Sequence, residues 1–503
     1  MGRQGQGLLP ERRDRLRRPR PGRVGRRALS LGGAAALGLL LPCCSPAEEP
    51  LTAHRAGRLP EACHSLLTWN HAPGGPARKL FGELLGRGVP DLFLEGPGIL
   101  AGWTDPETHE SATVAWVELP ALGEADTRVA ALRARLGDDR VLEQRGQELW
   151  LLPKALAGFA RRGGPRLDAQ PWFAEGVAGL GRDPTDELEV EMHFDLRRLQ
   201  DIARQTGRER IVAGLKVLPG IEGFLGLSLA FRPSVSAERG QIDLFVRLAA
   251  HPLGIAAALD VVPERLMPVA LPGLDEASGF IRVDFRMGTY MDALKQRLLG
   301  GRGQAGEAVA GVSRTLGILL QNELWRGFGD EWVLVDPQGA LGEGRDLAES
   351  GAYLAAALAR APALRASLVT LARAGQLLGG DIAVKDEPGL LVVDAELAGQ
   401  AVVLAIGERI GGMGPQSARG DLLTLVKAAG EPGPPAPMAD MPPAPPEARL
   451  QGLGRWSLAF LAILLPQVEE EFRPFVHALI GDGRRMRFQL WRVAQGFRLQ
   501  GRW

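Results

Sequence analysis

The residues best placed to do chemistry are Asp195 and Asp284, because each ends a strand-like segment and precedes a helix-like one. Such a carboxylate can act as a general acid or base when it shares a cleft with another titratable group, such as His193. The same position suits an N-cap, in which the carboxylate accepts hydrogen bonds from free N–H groups at the helix start. We favour the cap. Alternate residues here are polar, so we also expect one solvated strand face formed by Glu189, Glu191, His193 and Asp195.

A second chemical pattern is W-x-x-E-G, in the segment from Pro171 to Ala178. It resembles the third-ligand helix of zinc metallopeptidases of the HExxH class, which implies Glu175 as a metal ligand. Those enzymes also need two histidines at i and i+4, with a glutamate base between them. None of the seven histidines has another four residues away. We therefore expect an amphipathic helix that buries Trp172 and Phe173.

The sequence also contains no convincing motif for cofactor binding or for a catalytic nucleophile. The GxGxxG match from Gly301 to Gly306 follows a helix-like segment, whereas a dinucleotide loop must follow a strand. No G-x-S-x-G elbow and no S-x-x-K motif occurs. The sequence thus assigns no catalytic, cofactor-binding or metal-binding residue, and we expect no cofactor.

The N-terminal residues have the features of an export signal. Ten arginines and two acids precede an apolar run, Leu29 to Leu41, which at 13 residues is too short to span a bilayer. Arg26-Arg27 with Leu29 resembles a twin-arginine export signal, and a general secretion signal with a basic leader remains the alternative.

Two cysteines follow the apolar run, after Leu39-Leu40-Leu41-Pro42. This arrangement resembles the lipid-attachment box of bacterial lipoproteins, which implies lipidation at Cys44 or Cys43 and a polar tether from Ser45 to Pro50. The alternative is a cleaved, soluble protein. We expect an exported protein held on the periplasmic side of a bacterial envelope membrane by its lipid.

The net charge of the chain limits the classes of partner that it could bind. The chain has 59 basic and 59 acidic residues, and removal of the leader leaves a net charge of about −8 with no dense basic stretch. This argues against nucleic acid as a partner. Cys63 is the one cysteine beyond the signal, so an intramolecular disulfide cannot form in the mature chain.

Strand and helix patterns alternate through the mature chain and position the acids. Met192 to Arg197 and Ile281 to Arg286 share an alternating strand that ends in apolar-Asp-apolar-Arg, with a looser copy at Trp116 to Leu119. The pattern predicts an α+β fold of duplicated strand–helix units with mainly antiparallel sheets, plus a C-terminal helix and β-hairpin. Leu347 to Ala374 and Trp456 to Ile480 read as helices.

The repeated unit and the segment from Gly327 to Leu334 resemble a family of uncharacterised exported bacterial proteins, catalogued as a domain of unknown function. Its members carry a signal segment and duplicated units in which a glycine, an acid and a strand follow a long helix. The resemblance covers about residues 110 to 410 and implies export, but no activity.

Composition divides the chain into five parts. We expect a signal at 1–44, α+β domains at 45–260 and 261–429, a linker at 430–447 that contains eight prolines, and a C-terminal part at 448–503. Its hairpin, Arg485 to Val493 and Phe497 to Trp503, shows one apolar and one polar, wet face. A lone hairpin with one helix is marginal, so we expect it to return to the main sheet.

The sequence therefore favours a lipid-anchored, non-enzymatic binding or scaffold module. Its partners would be the membrane and an envelope protein, a lipid or a peptide. The alternative is a hydrolase-like enzyme built from dispersed acids such as Asp195 and Asp284, if these converge with His193.

Overall fold

The computed structural model describes residues 56–70, 91–119, 126–159, 166–181, 190–205, 220–232, 240–300, 325–341, 347–377, 379–397, 399–457 and 485–503. Eighteen strands lie in these ranges. They are β1 Cys63–Trp69, β2 Gly98–Thr104, β3 Ser111–Glu118, β4 Arg140–Arg145, β5 Glu148–Pro153, β6 Val190–Asp195, β7 Phe224–Arg232, β8 Gln241–Leu248, β9 Gly279–Asp284, β10 Phe328–Asp336, β11 Tyr353–Leu358, β12 Ile382–Glu387, β13 Leu390–Leu397, β14 Gln400–Ile406, β15 Ile410–Pro415, β16 Arg449–Ser457, β17 Arg485–Val493 and β18 Gly496–Arg502.

The α-helices of the same ranges are α1 Thr127–Arg135, α2 Pro171–Leu180, α3 Leu196–Gln205, α4 Gly254–Leu259, α5 Met287–Gly300, α6 Leu347–Ser350, α7 Ala361–Leu377 and α8 Arg419–Val426. Local sequence explains several ends. Asp126 caps α1 by accepting the Arg128 N–H at 2.8 Å. Pro171 opens α2, and Gly181, at φ 55°, ends it in the left-handed conformation.

All eighteen strands form one antiparallel sheet, so the expected α+β class is wrong and the fold is dominated by the sheet. The pairings give the strand order 4-5-3-2-1-6-7-8-18-17-16-9-10-11-15-14-13-12. The error arose because β1, β2, β11, β15 and β16 were not expected as strands. The Leu347–Ala374 segment is also not one helix, since β11 interrupts it.

Twelve of the eighteen strands form four copies of a three-strand unit. In each unit a first strand is followed by a connection and then by two further strands. The three strands lie side by side in the sheet, in the order in which they occur in the sequence. The units are β1–β3, β6–β8, β9–β11 and β16–β18. Every first strand ends at, or one residue before, a side chain typical of N-caps: Asn70, Asp195, Asp284 and Ser457.

The two faces of the sheet are covered by different helices. One face, here called the α2 face, carries His193 and Ser228 and packs against α2 in one half and α8 in the other. The opposite face, here called the α1 face, packs against α1 at one end and α7 at the other. Among the described residues, α3 also contacts β1, β6 and β7, and Ala256 of α4 packs against Leu248 and Phe497 on the α1 face.

The proline-rich segment at 430–447 lies against the α2 face. The Gly433 N–H donates to the Met267 carbonyl, and Arg282 and Gln489 donate to the carbonyls of Gly433 and Met438. The terminal hairpin returns to the main sheet, where β18 pairs with β8. The expectation of a wet hairpin face is wrong for Gln489 and Gln500, which are 1% and 3% exposed.

Candidate functional site

The first polar constellation on the α2 face joins Ser228, His193 and Glu191. Paired positions in β7 and β6 place Ser228 directly beside His193. The His193 Nδ1 atom lies 2.9 Å from the Ser228 hydroxyl, and Nε2 lies 3.3 Å from a Glu191 carboxylate oxygen. These are the residue types of a nucleophile, a base and an orienting acid.

Helix α2 covers this constellation. Gly176 faces it so closely that an added Cβ would lie 2.3 Å from the Ser228 Oγ atom. The Phe173 ring meets the His193 ring edge-on, with centroids 5.1 Å apart. Ser228, His193 and Glu191 are 4%, 0% and 8% exposed. In this conformation a substrate cannot reach the hydroxyl, and the three groups form a buried polar network beneath the helix.

This burial corrects the expectation of a solvated strand face. Glu191 and His193 are buried, and Asp195 is partly buried. Glu189 lies outside the described residues. Alternation along β6 correctly groups these side chains, but it does not reveal that α2 covers them.

The structure does not bring Asp195 and Asp284 together. Five strands separate β6 from β9 in the sheet. Asp195 accepts the Arg198 N–H at 3.0 Å and so caps α3. Asp284 instead accepts hydrogen bonds from both terminal nitrogens of Arg265, at 2.7 and 2.9 Å.

Asp284 belongs to a second constellation, which the sequence did not predict. Glu331 of β10 pairs with Asp284 across the strands. Its carboxylate accepts the N–H groups of Leu266 and Met267 at 2.7 and 2.9 Å. It also accepts hydrogen bonds from Arg265 and Arg282, each at 3.1 Å. The cluster therefore fastens the segment around residue 266 across β9 and β10. The acid directly before the apolar segment Trp332 to Val335 was the available sequence signal.

Burial sets the electrostatics of this cluster. Asp284 is 3% exposed, and loss of hydration raises its pKa to about 6 although Arg265 acts in the opposite direction. Burial also lowers the pKa of Arg282, against the attraction of Glu331. Glu331 is fully buried, with donors on both carboxylate oxygens. This arrangement suits structural fastening, because its groups already satisfy one another.

The predicted amphipathic helix is present as α2, with Trp172 and Phe173 buried. Glu175 forms an ion pair with Arg247 of β8. Among the described ranges, no group of three or more His, Cys, Asp or Glu side chains could hold a metal ion. Cys43, Cys44 and the GxGxxG segment lie outside the described residues.

A row of aliphatic side chains crosses the middle of the α1 face. Successive cross-strand pairs join β1, β6, β7, β8, β18 and β17. We call this the leucine row: Leu67, Met192, Leu229, Leu244, Leu499 and Leu490. Met192 is 9% exposed, and the five leucines are partly exposed. Apart from Arg498, the side chains directly behind this row on the α2 face are buried, so within the described residues the leucine row is the more exposed of the two sets. Its two ends are packed, Leu67 against Trp69 and Leu490 against Phe497.

The chain matches no protein-family model, no curated protein and no solved structure. Within the described ranges no helix has the length and apolar character needed to cross a membrane. The resemblance to a family of exported bacterial proteins stays a prediction, and the site must be interpreted from its own geometry.

Proposed function

We propose that the chain is an exported bacterial envelope protein, lipid-anchored at Cys44 or Cys43, whose long sheet is a non-enzymatic binding or scaffold module. The observation that carries this proposal is the leucine row. The N-terminal sequence pattern supports the anchor, and the closed polar clusters support a role other than catalysis.

The dimensions of the leucine row indicate the kind of ligand. Six strands spaced about 4.8 Å apart give an apolar track of about 24 Å. That is the length of a helix of about 16 residues, and it also suits an extended acyl chain. Its aliphatic side chains offer no charged contact, so the ligand would be a lipid chain or an apolar peptide.

Two experiments test the proposal. The first is the mass of the mature N-terminal peptide from a bacterial membrane fraction, where we expect a triacylated Cys44 or Cys43. An unmodified terminus in the soluble fraction would contradict the anchor.

The second experiment is titration with a fluorescent fatty acid. Leu244→Gln with Leu499→Gln should weaken binding by about thirtyfold or more, since each change removes about 1 kcal/mol or more of apolar contact. Leu377→Gln is the matched control, because Leu377 is 89% exposed on α7. Equal affinity for wild type and the double variant would contradict a role for the leucine row.

A hydrolase is the second candidate, and the bonded Ser228, His193 and Glu191 favour it. It would require α2 to move away, because Gly176 now closes the site. A fluorophosphonate probe tests this directly. Labelling of Ser228 in the native protein, lost in Ser228→Ala, would support the enzyme, whereas we expect no labelling of the folded chain.

A further inference from the structure

An arginine patch lies on the α2 face where β16, β17 and β18 run side by side. Arg455 pairs directly with Arg487, and Arg487 pairs directly with Arg502. Directly paired residues of antiparallel strands project to the same side, with Cβ atoms about 5 Å apart. Arg485 precedes Arg487 by two residues and so shares this side. Four guanidinium groups therefore meet at one end of three neighbouring strands.

Little negative charge balances this patch. Asp440 lies 3.9 Å from Arg487 and is 89% exposed at its side chain, so the pair is weak. Arg502 donates to the Asp440 carbonyl at 2.7 Å, and Arg455 donates to the carbonyls of Asp275 and Ala277. Carbonyl groups orient these guanidinium groups without adding a negative charge, and Arg455 is also attracted by the Asp275 carboxylate.

The opposite end of the same strands provides an internal comparison. Arg449 and Arg492 are also directly paired there. Arg492 forms an ion pair with Asp260 at 2.5 Å, and Arg449 is attracted by Asp284 and Asp260. Paired arginines at that end have close carboxylates, whereas the described residues place only the distant Asp440 and, near Arg455, Asp275 beside the four arginines of the patch.

The side chains of the patch are available to solvent. Arg485, Arg487 and Arg502 are exposed, and Arg455 is partly exposed. Burial is the main cause that lowers the pKa of Arg455, and repulsion by Arg487 and Arg485 lowers it further, against the attraction of Asp275. Like charges held in register are unfavourable unless an anion joins them.

We propose that this patch binds the phosphate groups of anionic phospholipids at a membrane surface. Guanidinium groups bind phosphate through paired hydrogen bonds, and several neighbouring arginines can engage several headgroups at once. The proposal rests on the membrane anchor proposed above, which would keep the patch near headgroups. Each arginine near an anionic surface contributes about 1 kcal/mol, or about fivefold in affinity.

Arginine-specific modification by phenylglyoxal, read peptide by peptide in the full chain, tests this inference. Phosphatidylglycerol vesicles should slow modification of Arg485, Arg487 and Arg502 by about fivefold relative to phosphatidylcholine vesicles. Arg286 is the internal control, because its side chain is 48% exposed, the same as Arg487, and it pairs with Asp330. Its rate should not change.

The protection should disappear at high salt, because screening weakens exposed charge interactions. Equal rates in the two vesicle types, or equal slowing at Arg286, would overturn the proposal. Inorganic phosphate that protects the patch equally well would also overturn it, in favour of a site for free anions.

A variant gives an independent measurement. Arg487→Gln with Arg502→Gln should lower affinity for phosphatidylglycerol vesicles more than tenfold, while Arg286→Gln in the same chain should not. Equal affinities for the two variants would contradict the proposal. This result does not depend on lipidation, so failure of the patch and failure of the anchor are distinguishable. An unmodified N-terminus contradicts the anchor alone, and unprotected arginines contradict the patch alone.

Discussion

Asp195 and Asp284 occupy equivalent positions at the ends of β6 and β9, yet only Asp195 caps the helix that follows. The difference comes from Arg265, which lies over β9 and donates hydrogen bonds to both carboxylate oxygens of Asp284. A charged partner supplied by a distant segment has replaced the local backbone contact. The same short sequence pattern thus serves helix capping in one unit and segment fastening in another.

Glu331→Gln tests the fastening role. We expect a loss of about 3 kcal/mol in the free energy of unfolding, because the buried Arg282 would lose its carboxylate partner. Asp386→Asn is the matched control, since Asp386 pairs with Arg365 at the surface and is 55% exposed. That change should cost about 1 kcal/mol or less. Chemical denaturation of both variants provides the measurement, and equal losses would contradict the fastening role.

The dependence of stability on pH should separate two buried groups. Burial raises the pKa of Asp284 from 3.8 to about 6, so its contribution is full below pH 3.8 and is lost as pH rises through 6. Burial lowers the pKa of His64 from 6.5 to about 4, so its contribution is present above pH 6.5 and is lost as pH falls through 4. The two contributions oppose one another between pH 4 and 6.

Asp284→Asn should therefore lose more thermal stability than wild type between pH 7.5 and 4.5. His64→Phe should lose less than wild type over the same range. Each shift corresponds to about 3 kcal/mol at most. Melting temperatures of the three proteins at both pH values provide the measurement, and parallel profiles would show that neither group is coupled to folding.

Gly176→Ala should destabilise the protein by about 1–3 kcal/mol, because the new methyl group would meet the Ser228 hydroxyl. Gly420→Ala is the control, since Gly420 lies in α8 with open space around it and should gain up to about 1 kcal/mol. Combining Gly176→Ala with Ser228→Ala should recover part of the loss. Full additivity of the two changes would argue against their contact.

Cys63 should resist alkylation in the folded protein. Its thiol is fully buried, and burial raises its pKa to about 12, so the reactive thiolate is scarce at pH 8. Iodoacetamide should label the Cys63 peptide only after guanidinium unfolding. Leu377→Cys supplies an exposed thiol in the same chain, which should react at once; rapid labelling of Cys63 as well would contradict its burial.

The sequence predicted local elements better than their assembly. Alternation located β6, β9 and the terminal hairpin, because polar and apolar residues there alternate with period two. Tyr353–Leu358 was missed because its alanines favour helix in isolation. In the sheet these alanines are buried between β10 and β15, where their small side chains allow helices to approach.

The polar clusters were only partly predictable for the same reason. His193 and Glu191 were recognised as sharing one face, but the helix that covers them comes from a segment more than ten residues earlier. Glu331 and Arg265 are 66 residues apart, and local pattern cannot reveal such a contact. Likewise, the side-by-side position of Arg455, Arg487 and Arg502 becomes visible only when the pairing of the strands is known.

The pairing of β8 with β18 also determines when this protein can finish folding. Residues about 250 positions apart must meet there, so the two halves cannot join until β18 has been synthesised. A nascent or truncated chain that lacks β18 would present the edges of β8 and β17 to other chains. Such a chain would therefore be prone to aggregation until β18 is in place.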